Sequence, residues 1–199
     1  MGREGLCQTY RFRKRTPMKK RDLFFSFLVV FLVSGCGYTT HAYVTQTGYK
    51  KIYIKPFLNK VNTTSEYSEG KRFQTYFPLL ENTITHAVVD RFIFDGNLKV
   101  VKEEEADLVL KGELVSYRRE TIRTVPGNGE IPEQYRITLF VNLTLLDNKT
   151  KKVVWQKSGF AGDNTYFVTG TLVVSESQAL QDATNDLARR IVDSTVEAW

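Results

Sequence analysis

Four arginines flank a predicted turn in the second half of the chain and are its best candidates for ligand chemistry. They are Arg118, Arg119, Arg123 and Arg136. Segment 125–133 between them contains two Gly and two Pro, a composition typical of a turn. Guanidinium groups clustered in this way could hold phosphates through charge-assisted hydrogen bonds. A solubilising hairpin edge, on which charges prevent strand-to-strand aggregation, is the alternative, and both interpretations stay open.

Residue patterns that support catalysis are missing from the sequence. Nucleophile elbows, P-loops, dinucleotide-binding glycine motifs and the HExxH motif do not occur. His41 and His86 have no partner at helical or strand spacing, and two His with two Cys are too few for a multi-histidine or cysteine-rich metal centre. We therefore expect a protein that is not an enzyme, with no metal site and no cofactor other than covalently attached lipid.

One cysteine has a sequence context that predicts this lipid attachment. Residues 19–21 are basic, residues 23–33 are an apolar run, and Gly35 directly precedes Cys36. The run fits the h-region of a signal peptide and is shorter than the ~20 residues of a membrane span. The arrangement resembles the bacterial lipobox, in which the signal is cut before the Cys, its thiol receives diacylglycerol and its new amine is acylated. An uncleaved anchor with a chance Cys is the alternative.

The lipobox divides the chain into three parts. Residues 1–35 are the predicted signal peptide; Met18 is favoured as its true start over a longer n-region beginning at Met1. Residues 36–48 are the predicted lipid-anchored tether, and residues 49–199 a single domain. Gly37 after the Cys indicates the outer membrane under the enterobacterial sorting pattern.

The basic character of the chain belongs to the predicted signal peptide. The 199 residues include 28 Lys+Arg and 22 Asp+Glu, with a formal net charge of +6 and a pI of about 9.2. Residues 1–35 hold eight of the basic and two of the acidic residues, so the remainder is neutral. We expect no nucleic-acid partner for a neutral, exported domain, because such binding depends on neutralising phosphates.

Hydrophobic periodicity predicts an α+β domain with the element order β-α-β-β-β-β-α. The predicted strands cover 49–57, 98–101, 107–124 with a kink at Gly112, 136–145, and a return strand from 153. Segments 58–76 and 161–174 are predicted loops because they are rich in Asn, Thr, Ser or Gly. The expected architecture is one antiparallel sheet with both helices packed on a single face.

Two amphipathic helices complete the prediction. The first begins at Pro78, where the missing N–H costs nothing, and ends at Gly96. The second begins at a capping box formed by Ser175 and Gln178 and continues to about residue 198.

Seven short motifs follow one another along the chain after the apolar run. They are Gly-Cys-Gly-Tyr at 35–38, Ile-Tyr-Ile-Lys-Pro-Phe at 52–57 followed by Asn59, Leu-Leu-Glu-Asn at 79–82, Leu-Lys-Val-Val at 98–101, Ala-Asp-Leu-Val-Leu-Lys-Gly at 106–112, Glu-Gln-Tyr-Arg-Ile at 133–137, and the helix 179–188. Together they resemble the LptE family of lipopolysaccharide-assembly lipoproteins.

The resemblance implies a binding role. Such proteins plug a large outer-membrane β-barrel of the LptD type, assist its assembly and bind lipopolysaccharide on its way to the outer leaflet, while the lipid anchor holds them at the inner leaflet. Basic residues near loop tips of the family contact the phosphorylated lipid A region. Arg123 is the nearest match in this sequence, with Arg118, Arg119 and Arg136 as the other predicted contacts. A second family basic residue would fall within 161–174, which has no Lys or Arg.

A second family resemblance leads to an alternative function. The strand–helix–strand–Ala-Asp–strand pattern is also similar to the CsgG and LpoB type of periplasmic lipoproteins, which build secretion pores or activate cell-wall synthases. Those proteins have a more strongly α/β chain order. The consecutive strands and the terminal helix of this sequence favour LptE.

Overall fold

The computed structural model describes residues 48–61, 77–125, 127 and 131–197. These residues belong to one compact unit. Cys36, the predicted signal peptide and nearly all of the predicted tether lie outside the described residues. The strands are β1 (Lys51–Ile54), β2 (Leu58–Asn59), β3 (Lys99–Val100), β4 (Leu108–Thr124), β5 (Pro132–Asp147) and β6 (Val153–Phe167). The helices are α1 (Leu80–Asp95), a 3-10 turn (Glu103–Glu105) and α2 (Glu176–Val196).

The strands form one mixed sheet in the order β3-β1-β4-β5-β6, with β2 also pairing to β4. Strands β4, β5 and β6 are antiparallel neighbours, as expected. Strand β1 is instead parallel to both β3 and β4, because the chain returns from β1 to β3 through α1. The α+β class and the two helices on the sheet are confirmed; the sheet is mixed where the sequence predicted an antiparallel one.

A continuous hydrophobic core lies between the sheet and the two helices. Alternate residues of β5 face it and are fully buried, as the strict alternation predicts: Ile137, Leu139, Val141, Leu143 and Leu145. The helix α1 contributes four buried side chains at helical spacing: Leu80, Ile84, Val88 and Phe92. The opposite face of β5 is only partly buried. The sheet therefore has one face covered by helices, the helix face, and one outer face.

Several element boundaries differ from the prediction: β1 is shorter than 49–57, β5 begins at Pro132 and not at residue 136, and β2 lies within the predicted loop 58–76. The helix α1 begins at Leu80, after Leu79 has adopted a left-handed N-cap conformation (φ 61°) with no side-chain cap, so Pro78 precedes the helix. Segment 161–174 was predicted as a loop, but its first half completes β6. That half is polar and contains Gly162, which gives it the composition of a loop, yet it pairs with β5 along its length.

Two glycines are required by close packing. Gly162 lies beneath α2, and a Cβ there would lie 2.5 Å from the backbone N and Cα of Leu187. Gly112 lies beneath the ring of Phe57, which occupies the space of a side chain. The pairing of β4 with β5 is regular through Gly112 and shifts between Leu114 and Ser116, so the kink predicted at Gly112 was placed too early.

All long elements run between two ends of the domain. The tether end, where the described chain begins, comprises residues 48–51, 93–107 and 147–154. The hairpin end, where β4 passes into β5, comprises 121–125, 131–134 and 168–176. The Ser175 side chain caps α2 at the hairpin end by accepting the Gln178 N–H at 3.2 Å, which confirms the predicted N-cap. The Gln178 side chain bonds to Asp182 instead of closing the box.

Candidate functional site

The register of β4 and β5 separates the four candidate arginines. Arg118 lies opposite Thr138, and Arg136 lies opposite Glu120, so both belong to the outer face. Arg119 lies opposite the buried Ile137 and belongs to the helix face. This separation follows from the strand period, since successive side chains point to opposite faces. Arg123 lies near the end of β4. The pairing of β4 with β5 shifts between Thr121 and Arg123, and Arg123 lies opposite Gln134.

The outer-face arginines make long, exposed ion pairs. Arg118 Nη1 lies 3.6 Å from Glu120 Oε1, and its guanidinium stands 5.2 Å from the ring centroid of Phe140. Arg136 Nε lies 3.8 Å from Asp163 Oδ2. Exposed pairs of this kind contribute only about 0–1 kcal/mol. Both guanidinium groups can therefore exchange their carboxylate partner for another anion at little cost.

Arg123 is the candidate nearest the tip of the hairpin. Its side chain is 57% exposed, and its Nε lies 2.8 Å from Glu133 Oε2 in an ion pair. Arg123 belongs to β4 and Glu133 to β5, so the ion pair also links the two strands of the hairpin. Arg123 has the exposure expected of a residue that contacts a ligand.

Arg119 belongs to a largely buried cluster, the Arg119 cluster, formed by Tyr117, Arg119, Tyr135, Tyr166 and Glu176. The Arg119 side chain is only 18% exposed, and its Nη1 lies 2.6 Å from Glu176 Oε2. The Tyr117 hydroxyl donates to Glu176 Oε1 at 2.9 Å. The guanidinium stands 4.9 Å from the ring centroid of Tyr135, which stacks on Tyr166 at 5.9 Å.

Electrostatics favours a neutral Tyr117 and a charged Arg119. Burial, reinforced by the charge of Glu176, raises the pKa of Tyr117 far above its ordinary value. Burial would lower the pKa of Arg119, but Glu176, Tyr166 and Tyr117 together outweigh that effect and the pKa rises. Glu176 also sits in the first turn of α2, where the helix dipole favours a carboxylate. The cluster therefore joins β4 to the start of α2 through a stable ion pair.

Sequence reasoning identified Arg119 but missed its partners Tyr117, Tyr166 and Glu176. One available signal was Glu176 directly after the N-cap Ser175, a position where an acidic residue is favourable. Another was the alternation of side chains along a strand, which places the successive residues Arg118 and Arg119 on opposite faces of the sheet.

A second polar network connects the segments of the tether end. Asp147 Oδ1 accepts the N–H groups of Lys149 (2.9 Å) and Thr150 (2.7 Å), and its Oδ2 accepts the Tyr49 hydroxyl at 2.7 Å. Asp107 Oδ2 accepts two backbone N–H groups at 3.1 Å, from residues 50 and 51. The hydrogen bonds to Asp147, the strongest of them from the backbone N–H of Thr150, lower its pKa to about 2.

We expect Asp147→Asn to flatten the acid-side pH dependence of stability. The ordinary pKa of the carboxyl is 3.8 and the folded value is about 2. Its contribution is therefore present above about pH 4 and is lost as the pH falls toward 2. Urea unfolding at a series of pH values measures this, with Asp90→Asn on the exposed surface of α1 as the control. Identical pH profiles for wild type and Asp147→Asn would contradict the assignment.

Two features are absent from the part of the chain that the structure describes. Within 48–61, 77–125, 127 and 131–197, no three His, Cys, Asp or Glu side chains are grouped so that they could hold a metal ion. None of the described helices is both long enough and apolar enough to span a membrane.

Several solved structures align with this chain at low sequence identity. A crystal structure of a Xanthomonas campestris protein aligns with 13% identity and a TM-score of 0.51, covering 74% of this chain and 84% of that one. Rare lipoprotein B from Shewanella oneidensis aligns with 17% identity and a TM-score of 0.42, covering 73% and 95%. A PelC dodecamer from Paraburkholderia phytofirmans gives 14% identity and a TM-score of 0.46, covering 74% and 89%.

Comparison with sequences identifies the family. A search of curated proteins found no significant match. The sequence model of the LptE family, described as lipopolysaccharide-assembly, matches residues 49–195. This range covers β1 to α2 and confirms the resemblance carried by the short motifs, so the chain belongs to the LptE lipopolysaccharide-assembly family.

Proposed function

We propose that this protein is an outer-membrane lipoprotein, acylated on Cys36, that plugs an LptD-type β-barrel and assists its assembly. In this proposal it also binds lipopolysaccharide during insertion into the outer leaflet. The observation that carries the proposal is the family match over residues 49–195. The role is one of binding and not of catalysis, and the only non-protein groups are the acyl chains on Cys36.

The shape of the β4–β5 hairpin supports a plug role. The two strands contain 17 and 16 residues. Residues 120–123 of β4 are exposed one after another, so neither face of the strand is covered there. The end of the hairpin thus extends past the helical layer and is free to enter a cavity of a partner.

Affinity purification from detergent extracts tests the barrel partnership. We expect the tagged, acylated chain to recover a large outer-membrane β-barrel, identified by mass spectrometry. Recovery without a barrel would refute the plug role. Recovery of homo-oligomeric rings or of a cell-wall synthase would assign the chain to the CsgG and LpoB type of function.

The geometry ranks the four proposed lipopolysaccharide contacts. The side chains of Arg123, Arg118 and Arg136 are about half exposed, so phosphate oxygens can reach them. Arg119 would have to leave Glu176 to bind a ligand. We therefore propose Arg123 as the main contact, with the two outer-face arginines as additional contacts.

We expect Arg123→Glu to weaken binding of purified lipopolysaccharide about five- to tenfold. An exposed guanidinium–phosphate pair contributes about 1 kcal/mol, and reversal of the charge adds repulsion. Surface plasmon resonance with the purified protein measures the affinity. The matched control is Arg189→Glu on α2, an arginine of similar exposure that pairs with Asp186 and Asp193. An unchanged affinity, or an equal loss in the control, would remove Arg123 from the site.

A further inference from the structure

Strand β6 forms one edge of the described sheet and pairs along its length with β5. In an antiparallel pair, successive residues direct their backbone N–H and C=O groups alternately toward the partner strand and away from it. Alternate residues of β6 therefore present these groups at the open side of the sheet. Unpaired backbone groups at an edge are a template to which another strand can add. The opposite edge, β3, has two residues and offers a much shorter template.

The second half of β6 has its outward backbone groups occupied by other parts of the domain. Asp186 Oδ2 on α2 accepts the N–H of Asp163 at 3.2 Å. Arg190, one turn farther along α2, donates from Nη1 to the carbonyl oxygen of Ala161 at 3.5 Å. Toward the hairpin end, the segment before α2 pairs with the last residue of β6. A strand can add to residues 161–167 only by displacing these contacts.

The first half of β6, residues 153–158 (the open edge), differs in its backbone contacts. The N–H of Asp147 bonds to the turn that follows it, so every second residue of β5 counted back from Asp147 faces β6. Trp155 and Lys157 lie opposite two of these residues. The N–H and C=O of Gln156 therefore point away from β5, and the residue is exposed. Within the part of the chain that the structure describes, no group bonds to that N–H or C=O.

The open edge lies in a basic stretch of the chain. Segment 148–162 has no Asp or Glu. It contains four exposed lysines: Lys149, Lys151, Lys152 and Lys157. Lysine on an edge strand opposes pairing between identical copies, because two such strands bring like charges together. The same lysines attract a strand that carries carboxylates. The charge therefore favours an acidic partner over a second copy of this chain.

The side chains beside the open edge define the pattern that an added strand needs. Trp155, Lys157 and Phe160 lie opposite core-facing residues of β5 and so belong to the helix face. The Lys157 Nζ stands 5.4 Å from the ring centroid of Trp155 and 5.6 Å from that of Phe160. Residues two apart on an added strand share one face. A carboxylate beside Lys157 and an apolar side chain against Trp155 fit this arrangement.

We propose that the open edge binds an extended, acidic segment of a partner protein by strand addition. The segment runs antiparallel to β6, the more stable arrangement, and one of its residues exchanges both backbone hydrogen bonds with Gln156. It carries a carboxylate opposite Lys157 and an apolar side chain opposite Trp155. In strand addition the main-chain bonds supply the affinity, and alternate side chains supply the specificity.

This binding goes beyond the proposed function and does not depend on it. The open edge begins at the tether end, away from the hairpin tip that enters a barrel in the proposed function. A segment bound at the open edge is therefore compatible with the barrel partnership.

Titration of the purified protein with a synthetic peptide tests strand addition. The probe is Thr-Glu-Thr-Val-Thr with blocked ends, which places Glu and Val on one face and Thr on the other. Amide NMR spectra of the protein in detergent micelles measure affinity and location together. We expect the Gln156 amide to shift most, because its N–H gains an acceptor, and the amides of residues 161–167 to stay unchanged. N-methylation of the central Thr removes the N–H that faces Gln156 and should abolish binding.

Charge and backbone variants separate the two contributions. Exchanging Glu for Lys in the peptide should weaken binding about tenfold, because an attraction to Lys157 becomes a repulsion. Lys157→Glu should reverse this preference. Gln156→Pro removes the outward N–H, a change that an edge strand tolerates, and should abolish binding. Gln156→Ala keeps the N–H and is the matched control, which should bind the peptide like wild type.

Three results would overturn the proposal. Equal affinity of the N-methylated peptide, or retained binding in Gln156→Pro, would mean charge attraction without strand addition. Equal affinity of the Glu and Lys peptides would remove the acidic partner. A Gln156 shift that grows with protein concentration in the absence of peptide would assign the open edge to a second copy of this chain. Recovery of a barrel in affinity purification is independent of all three, so failure here leaves the proposed function standing.

Discussion

Gly162→Ala is expected to lower the free energy of unfolding by about 3 kcal/mol, the upper part of the range for overpacked cores. The added Cβ would lie 2.5 Å from the backbone N and Cα of Leu187, in the middle of α2. A flexible side chain could rotate away, but these backbone atoms move only if α2 lifts from β6. Leu187 and its neighbour Ala188 are buried in the core, so lifting the helix exposes apolar surface. Urea unfolding followed by circular dichroism measures the loss.

Thr165→Ala is the control for this prediction. Thr165 lies on the same strand, three residues on, and its side chain is exposed. We expect its unfolding free energy to stay within about 0.5 kcal/mol of wild type. If Gly162→Ala were equally stable, the close approach of α2 to β6 would be wrong.

Arg119→Met is expected to lower the free energy of unfolding by about 2 kcal/mol. Breaking a fully buried ion pair typically costs about 3–5 kcal/mol, and the partial exposure of both partners reduces that figure. Glu176 would keep its Tyr117 partner but lose the charge that compensates its burial. Met has a similar volume, so packing against Tyr135 is largely retained. The same urea experiment measures the effect.

The neighbouring Arg118→Met is the matched control. It removes the same type of residue from the same strand, but from the outer face, where the pair with Glu120 is long and exposed. We expect a change of no more than about 0.5 kcal/mol. Equal losses for the two variants would mean that the Arg119 cluster contributes nothing beyond ordinary strand packing.

Regular periodicity made the core predictable from the sequence. Ile137 to Leu145 alternate strictly, and Leu80, Ile84, Val88 and Phe92 recur at helical spacing; all are buried. Ser175 before an apolar stripe located the N-cap of α2, because its hydroxyl satisfies an otherwise free N–H. Each of these predictions depends on residues close together in the chain.

The remaining features depend on contacts between distant residues. Gly162 looks like a loop residue until α2 is placed above it, and Leu79 carries no cap signal that marks the start of α1. The parallel pairing of β1 with β4 joins Ile52 to Leu108, which no local pattern encodes. At the candidate site, the arginines were found by type and spacing, but the partners of Arg119 come from a separate helix.

The parallel pairing of β1 also sets the order in which the chain can fold. Strands β4, β5 and β6 are sequential hairpin neighbours, so their contacts close short loops and are expected to form early. Strand β1 must wait for β4, because Ile52 pairs with Leu108 across the whole of α1 and β3. Under the proposed export from the N-terminus, the segment nearest the proposed lipid anchor emerges first but docks last. Until then its apolar residues, Ile52 and Ile54, lack the partners that bury them in the folded domain, and exposed apolar strands of this kind are prone to aggregation.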